Sequence, residues 1–126
     1  MRARNDIADA SPLRQPPDGD LAVVAAEVLR QLADPTRLHL LALLAAGPQD
    51  VTTLTAQVDA SRSSVSQHLG RLRLSRLVTA RRDGRRMLYR LTSDHVRLLV
   101  AEAYAFAQHL DRDTHHRVDD AEPVPR

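Results

Sequence analysis

Six histidines and no cysteine define the metal chemistry open to this chain. Imidazole nitrogen with carboxylate oxygen suits Zn²⁺, Ni²⁺ or Co²⁺, whereas arsenite, copper(I) and other soft ions lack their thiolate ligands here. Four of the six histidines, His95, His109, His115 and His116, fall late in the sequence. His95 and His109 are fourteen residues apart, which in a helix is about 21 Å of rise and just under four turns. Both then fall near one face, too far apart to share an ion. An antiparallel copy of the same helix removes the distance. About a two-fold axis near residue 102, His95 of one chain stands opposite His109 of the other, giving two symmetry-related sites. Val96, Leu99, Val100, Ala103, Phe106, Ala107 and Leu110 recur at three- and four-residue steps and supply the seam such a pair needs. His95, Glu102 and His109 flank that seam at heptad intervals.

A second chemistry is cationic. Residues 61–91 hold nine arginines against one acid, Asp83, a net +8, while the remainder holds nine arginines and fifteen acids, a net −6. The chain has no lysine, so arginine usage reflects composition, but its clustering does not. Charge segregated in this way marks a phosphate-binding surface. Within the cluster, Val65, Leu69 and Leu72 recur at i, i+4 and i+7 and give a helix one apolar stripe. Ser61 stands ahead as its cap. Arg62, Ser63, Ser64, Gln67, His68 and Arg71 form its polar side, suited to base edges and phosphates of a DNA major groove. His68 has two readings there, a DNA contact or a buttress of the turn. The next stretch predicts two short strands about a turn at Asp83-Gly84. Arg81, Arg82, Arg85 and Arg86 would lie along flanking phosphates or in a minor groove.

The elements that must position these groups are legible from their punctuation. A helix over 21–33 is apolar on most of its circumference, which calls for a covering partner. Asp34 as N-cap and Pro35 at the first position open a second helix, expected from Thr36 to Ala46 and closed by Gly47-Pro48. His39, inside that apolar helix, is assigned to packing. Thr52 or Thr53 to Val58 gives a short third helix, and the helix after Ser61 is the fourth. Thr92 or Ser93 caps a last helix expected to end near Asp111. Residues 1–19 and 112–126 read as flexible arms around one domain over 20–111. The order α-α-α-α-β-β-α is mainly α with a small β-hairpin, a winged helix-turn-helix whose third and fourth helices make the reading head. With one phenylalanine and no tryptophan, the core must be built from leucine, valine and alanine. No apolar run is long enough to span a membrane and no signal-peptide core is present, so the chain is expected in the cytoplasm.

Leu32-Ala-Asp-Pro-Thr-Arg-Leu38, Val65-Ser-Gln-His-Leu69 and Arg82-Asp-Gly-Arg-Arg-Met-Leu-Tyr-Arg-Leu91 resemble, in order, the signature stretches of the ArsR/SmtB repressors. The resemblance covers about residues 20–111. It implies a bacterial metalloregulator, a homodimer built on its first and last helices, bound to an operator with dyad symmetry. It also implies that a metal effector weakens operator binding. Of the four-ligand zinc pattern on that family's dimer helix, His95 and His109 match, while Ser93 and Phe106 stand where an aspartate and a histidine would be. The last helix and tail are more similar to nickel/cobalt sensors of the KmtR/NmtR type. Asp94-His95, Gln108-His109 and His115-His116 hold the corresponding places, with glutamine replacing a glutamate and a shorter tail spacing.

The expected metal ligands are therefore His95, His109, His115 and His116, with Asp94, Glu102 and Gln108 as weaker candidates. Four imidazoles with added oxygen donors suit a six-coordinate Ni(II) or Co(II) site, with Zn(II) as the alternative. The function expected is a metal-responsive repressor of operator DNA. Its rivals are a zinc-responsive or metal-independent repressor and, from another class, a winged-helix module that docks proteins. The last should carry an apolar or acidic wing, and this wing is basic. An enzyme is not expected: there is no glycine-rich phosphate loop, no cysteine nucleophile, and no histidine/carboxylate cluster outside the last helix.

Overall fold

The computed structural model describes residues 18–119, apart from a few side chains at the far end of the last helix, that of His116 among them. Its elements are α1 (Gly19–Leu32), α2 (Pro35–Leu44), α3 (Val51–Thr55), α4 (Arg62–Leu74), the strands β1 (Val78–Asp83) and β2 (Arg86–Leu91), and α5 (Asp94–Asp119). This is the winged helix-turn-helix order. Of the expected arm over 1–19 and tail over 112–126, residues 1–17 and 120–126 lie outside what is described, as does the ligand role of His116.

Four helices start where a short polar side chain can accept from their orphan N–H groups. Asp18 accepts from Leu21 at 2.8 Å, Asp34 from Arg37 at 2.9 Å, Asp50 from Thr53 at 2.8 Å and Ser61 from Ser64 at 3.0 Å. Asp50 starts α3 earlier than expected, and α3 ends at Thr55 rather than Val58. The exit from α4 is a Schellman-type turn: Leu77 N–H donates to Leu72 O at 2.9 Å, and Arg76 takes the left-handed position at φ 64°. Of the two expected caps for α5, Ser93 directly precedes its first residue, Asp94, while Thr92 donates its hydroxyl to Arg76 O at 2.9 Å and binds the end of β2 to that exit.

The strands pair antiparallel from Val78↔Leu91 to Asp83↔Arg86. Gly84 and Arg85 are therefore the turn residues, one place beyond the expected Asp83-Gly84. Gly84 sits at φ 64°, which its lack of a Cβ permits. A further bridge ties β2 to the α2–α3 loop, with Gln49 N–H to Tyr89 O at 3.1 Å and Tyr89 N–H to Gln49 O at 2.9 Å.

The core is leucine and valine throughout: Leu32, Leu40, Leu41, Leu44, Leu54, Val65, Leu69, Leu72, Leu77, Val78, Val96 and Val100. Leucines of α2 and α4 interleave there with the first turns of α5. Two expectations are corrected. Val96 and Val100, assigned to a seam between copies, are buried in the chain's own core, because the apolar stripe of α5 turns inward at its start. His39, assigned to packing, is exposed on the outer side of α2. Helix α5 also runs eight residues past its expected end at Asp111. No glycine or proline stops it there, and Asp111–His115 and His109–Asp113 pair along its surface.

Candidate nucleic-acid interface

Helix α4 separates its two roles by face. Val65, Leu69 and Leu72 are fully buried against α2 and α3, which fixes its rotation about its axis. Arg62, Ser63, Gln67 and Arg71 are then exposed, and Ser64 is half-buried beside its cap. The same outward side carries Arg73 of the arginine cluster, together with Ser66 and Gly70, which neither the apolar stripe nor that cluster singled out. Spacing alone could have found them, since they follow Ser63 and Gln67 at helical intervals. His68 is turned inward. Its Nδ1 lies 3.4 Å from Arg37 Nη1 and its Nε2 3.9 Å from Asp34 Oδ2, so the geometry matches the buttress rather than a DNA contact.

The wing arginines divide in the same way. Arg81, Arg82 and Arg85 are exposed and form no ion pair among the described residues. Arg86 is held, with its guanidinium 3.5 Å from both Asp50 and Asp83, and Arg62 donates to Thr52 Oγ1 at 2.7 Å. Both contacts hook the reading surface onto the start of α3. Asp50 thus has two tasks, capping α3 and anchoring the wing. The Asp-x-x-Thr spacing before an apolar residue was its only sequence signal. The backbone N–H and then the hydroxyl of Thr53 hold the Asp50 carboxyl below its ordinary 3.8, and the charge on Arg86 adds to this. Asp34 is also held below 3.8, first by the Arg37 backbone N–H and then, against its partial desolvation, by the charges of His68 and Arg37.

The candidate metal ligands lie on α5, away from the reading head. His95, Glu102, Gln108, His109 and His115 are all exposed. Asp94 pairs with Arg97 at 3.3 Å, His109 with Asp113 at 3.5 Å and His115 with Asp111 at 3.4 Å. Within one protomer no three such groups converge among the described residues. The donors fit a borderline divalent ion in kind, as imidazoles with a carboxylate beside the ring. They fit in position only if a second copy brings its own.

No described helix is long and apolar enough to cross a membrane. Residues 34–80 match the bacterial regulatory protein, arsR family, description, a span from the α2 cap to the middle of β1. The chain is 46% identical over 112 residues to the HTH-type transcriptional regulator KmtR of Mycobacterium tuberculosis, covering 87% of this chain and 85% of that one. It is 39% identical over 95 residues to the HTH-type transcriptional regulator NmtR of the same organism, covering 75% and 79%. Among solved structures, the homodimeric winged helix-turn-helix DNA-binding domain Mb0332 of Mycobacterium bovis superposes with a TM-score of 0.64 at 31% identity, covering 76% of this chain and 91% of that one. The chain belongs to the ArsR family, and is a DNA-binding winged helix-turn-helix transcriptional regulator rather than an enzyme.

Proposed function

We propose that the protein is a cytoplasmic, metal-responsive repressor that grips operator DNA as a homodimer through α4 and the wing, and is released when Ni(II) or Co(II) binds at α5. The observation that carries the DNA contact is the outward face of α4 and the wing, arginine-rich and free of buried polar groups, mounted on a leucine core. Two such heads related by a dyad would meet successive turns of a duplex. Support for the dimer comes from apolar side chains that the single chain leaves in water: Leu21, Val23, Val24 and Leu29 on α1, and Leu99, Phe106 and Leu110 on α5.

Effector binding is assigned to His95 of one protomer and His109 of the partner subunit, with His115, His116 and nearby oxygen donors completing the set. When bound, the ion supplies a bridge between two helices. Because Val96 and Val100 anchor α5 in the same core as α4, a change in how two copies of α5 cross carries the reading heads with it. Known couplings of about 1–3 kcal/mol are enough for a roughly tenfold loss of operator affinity.

Equilibrium dialysis of the apo-protein against Ni²⁺, Co²⁺ and Zn²⁺, followed by DNA binding with and without each ion, tests this. Tight binding of Ni²⁺ or Co²⁺ and its loss in His95→Ala and His109→Ala variants are expected, with DNA release by the ion. A preference for Zn²⁺ would change the effector, and no binding of any of the three would leave a metal-independent regulator.

A further inference from the structure

A single arginine joins three elements beneath the reading surface. Arg37 lies in the first turn of α2, where its backbone N–H donates to the Asp34 cap at 2.9 Å. Its Nε donates to Gln31 O in the last turn of α1 at 2.7 Å, satisfying an orphan carbonyl at the negative end of that helix. Its Nη1 faces His68 Nδ1 on α4 at 3.4 Å. The His68 ring lies between Arg37 and Asp34, with Asp34 Oδ2 3.9 Å from Nε2, and only 21% of the side chain is exposed. No other described side-chain hydrogen bond or ion pair links α4 to α1 or α2. The remaining elements packed on α4, namely α3 and β1, bring no hydrogen bond or ion pair to His68 among the described residues.

We infer that Arg37 and His68 are positioning residues for DNA recognition: together they form a strut that fixes the pitch of α4 relative to the end of α1, without touching DNA. Apolar packing of Val65, Leu69 and Leu72 sets which face of α4 points outward. Packing is non-directional, so it tolerates a small tilt that a hydrogen-bonded fork does not. A reading helix must present several side chains to base edges at once, so a small tilt costs affinity while the fold persists. The fork needs arginine. A lysine ammonium at this place cannot meet the Gln31 carbonyl and the imidazole from opposite ends of one planar group. The imidazole must accept through Nδ1, so it must be unprotonated there.

The inference rests on the DNA-binding role, and the test separates the two. A duplex selected by the wild-type protein from a random-sequence pool serves as probe, in chelator, and failure to select any duplex would tell against DNA binding itself. With the probe in hand, His68→Ala and Arg37→Lys are each expected to bind about tenfold more weakly at pH 7.5. The double variant should be no weaker than the worse single one. His68→Asn, whose side-chain oxygen can accept near the place of Nδ1, should stay within about twofold of wild type. The salt slope of His68→Ala should equal that of wild type, because every arginine that meets a phosphate is still present. Thermal unfolding of each variant reports whether the fold is kept. His68→Ala binding as tightly as wild type, or His68→Asn binding as weakly as His68→Ala, would each overturn the strut.

Discussion

Asp34 does more than its place before a proline announces. As the N-cap of α2 it satisfies an N–H that would otherwise be orphaned, a role typically worth about 0.5–2 kcal/mol. Its depressed pKa gives a sign to the acid response. The stabilisation is present above the ordinary carboxylate value and is lost as pH falls through the lower folded one. Asp34→Asn keeps a capping oxygen and cannot titrate. Thermal unfolding between pH 6 and 2 should therefore show a shallower acid decline for Asp34→Asn than for wild type, and identical declines would remove Asp34 from the acid response. The Asp-Pro signal for this cap was plain in the sequence, but the second partners of Asp34 were not, because His68 lies 34 residues along the chain. For the same reason His39 was misplaced. An apolar neighbourhood in sequence does not say which side of the helix is covered.

Helices were legible wherever a cap chemistry preceded an apolar period, as at Asp34-Pro35 and Ser61. Where one polar residue could serve either a cap or a tie, as with Thr92, only the fold decides. The apolar stripe of α5 illustrates a deeper ambiguity. Val96 and Val100 repeat in phase with Leu99, Phe106 and Leu110, yet the first two enter the core and the rest stay exposed. Periodicity marks a face to be buried without naming what buries it. Helix α4 shows a gap of another kind. Gly70 lies in its interior, on the outward side, with nothing within 4 Å of where a Cβ would stand. Nothing inside the protein therefore calls for glycine, although in a helix interior it costs about 0.5–1 kcal/mol relative to alanine. On the proposed reading, DNA comes close to that face, where a glycine leaves it room. Gly70→Ala should raise the unfolding free energy by about 0.5–1 kcal/mol and weaken operator binding several-fold. Unchanged or tighter binding would place Gly70 clear of the groove.

Across the described residues, charge and exposed apolar surface are largely partitioned, although Leu74 at the end of α4 is 86% exposed. The basic reading head lies at one side, and exposed Leu, Val and Phe side chains of α1 and α5 remain to be covered. The only phenylalanine, Phe106, is 63% exposed, an odd place for it unless a second copy packs there. Burying a phenylalanine is worth about 1.5–3 kcal/mol, and it counts twice in a two-fold interface. Phe106→Glu should weaken dimerisation by at least about a hundredfold, seen as a shift from dimer to monomer in sedimentation. An unchanged dimer would exclude α5 as its seam. The most direct test of how the molecule meets DNA is the salt dependence of operator affinity. Each phosphate neutralised contributes about −0.9 to the slope of log K against log salt. A steep fall between about 50 and 200 mM salt is expected. When Arg81, Arg82 and Arg85 become alanine, the slope should shrink by about one for each phosphate that these side chains neutralise. An affinity nearly independent of salt, or a slope untouched by those three changes, would contradict a DNA grip built on α4 and the wing.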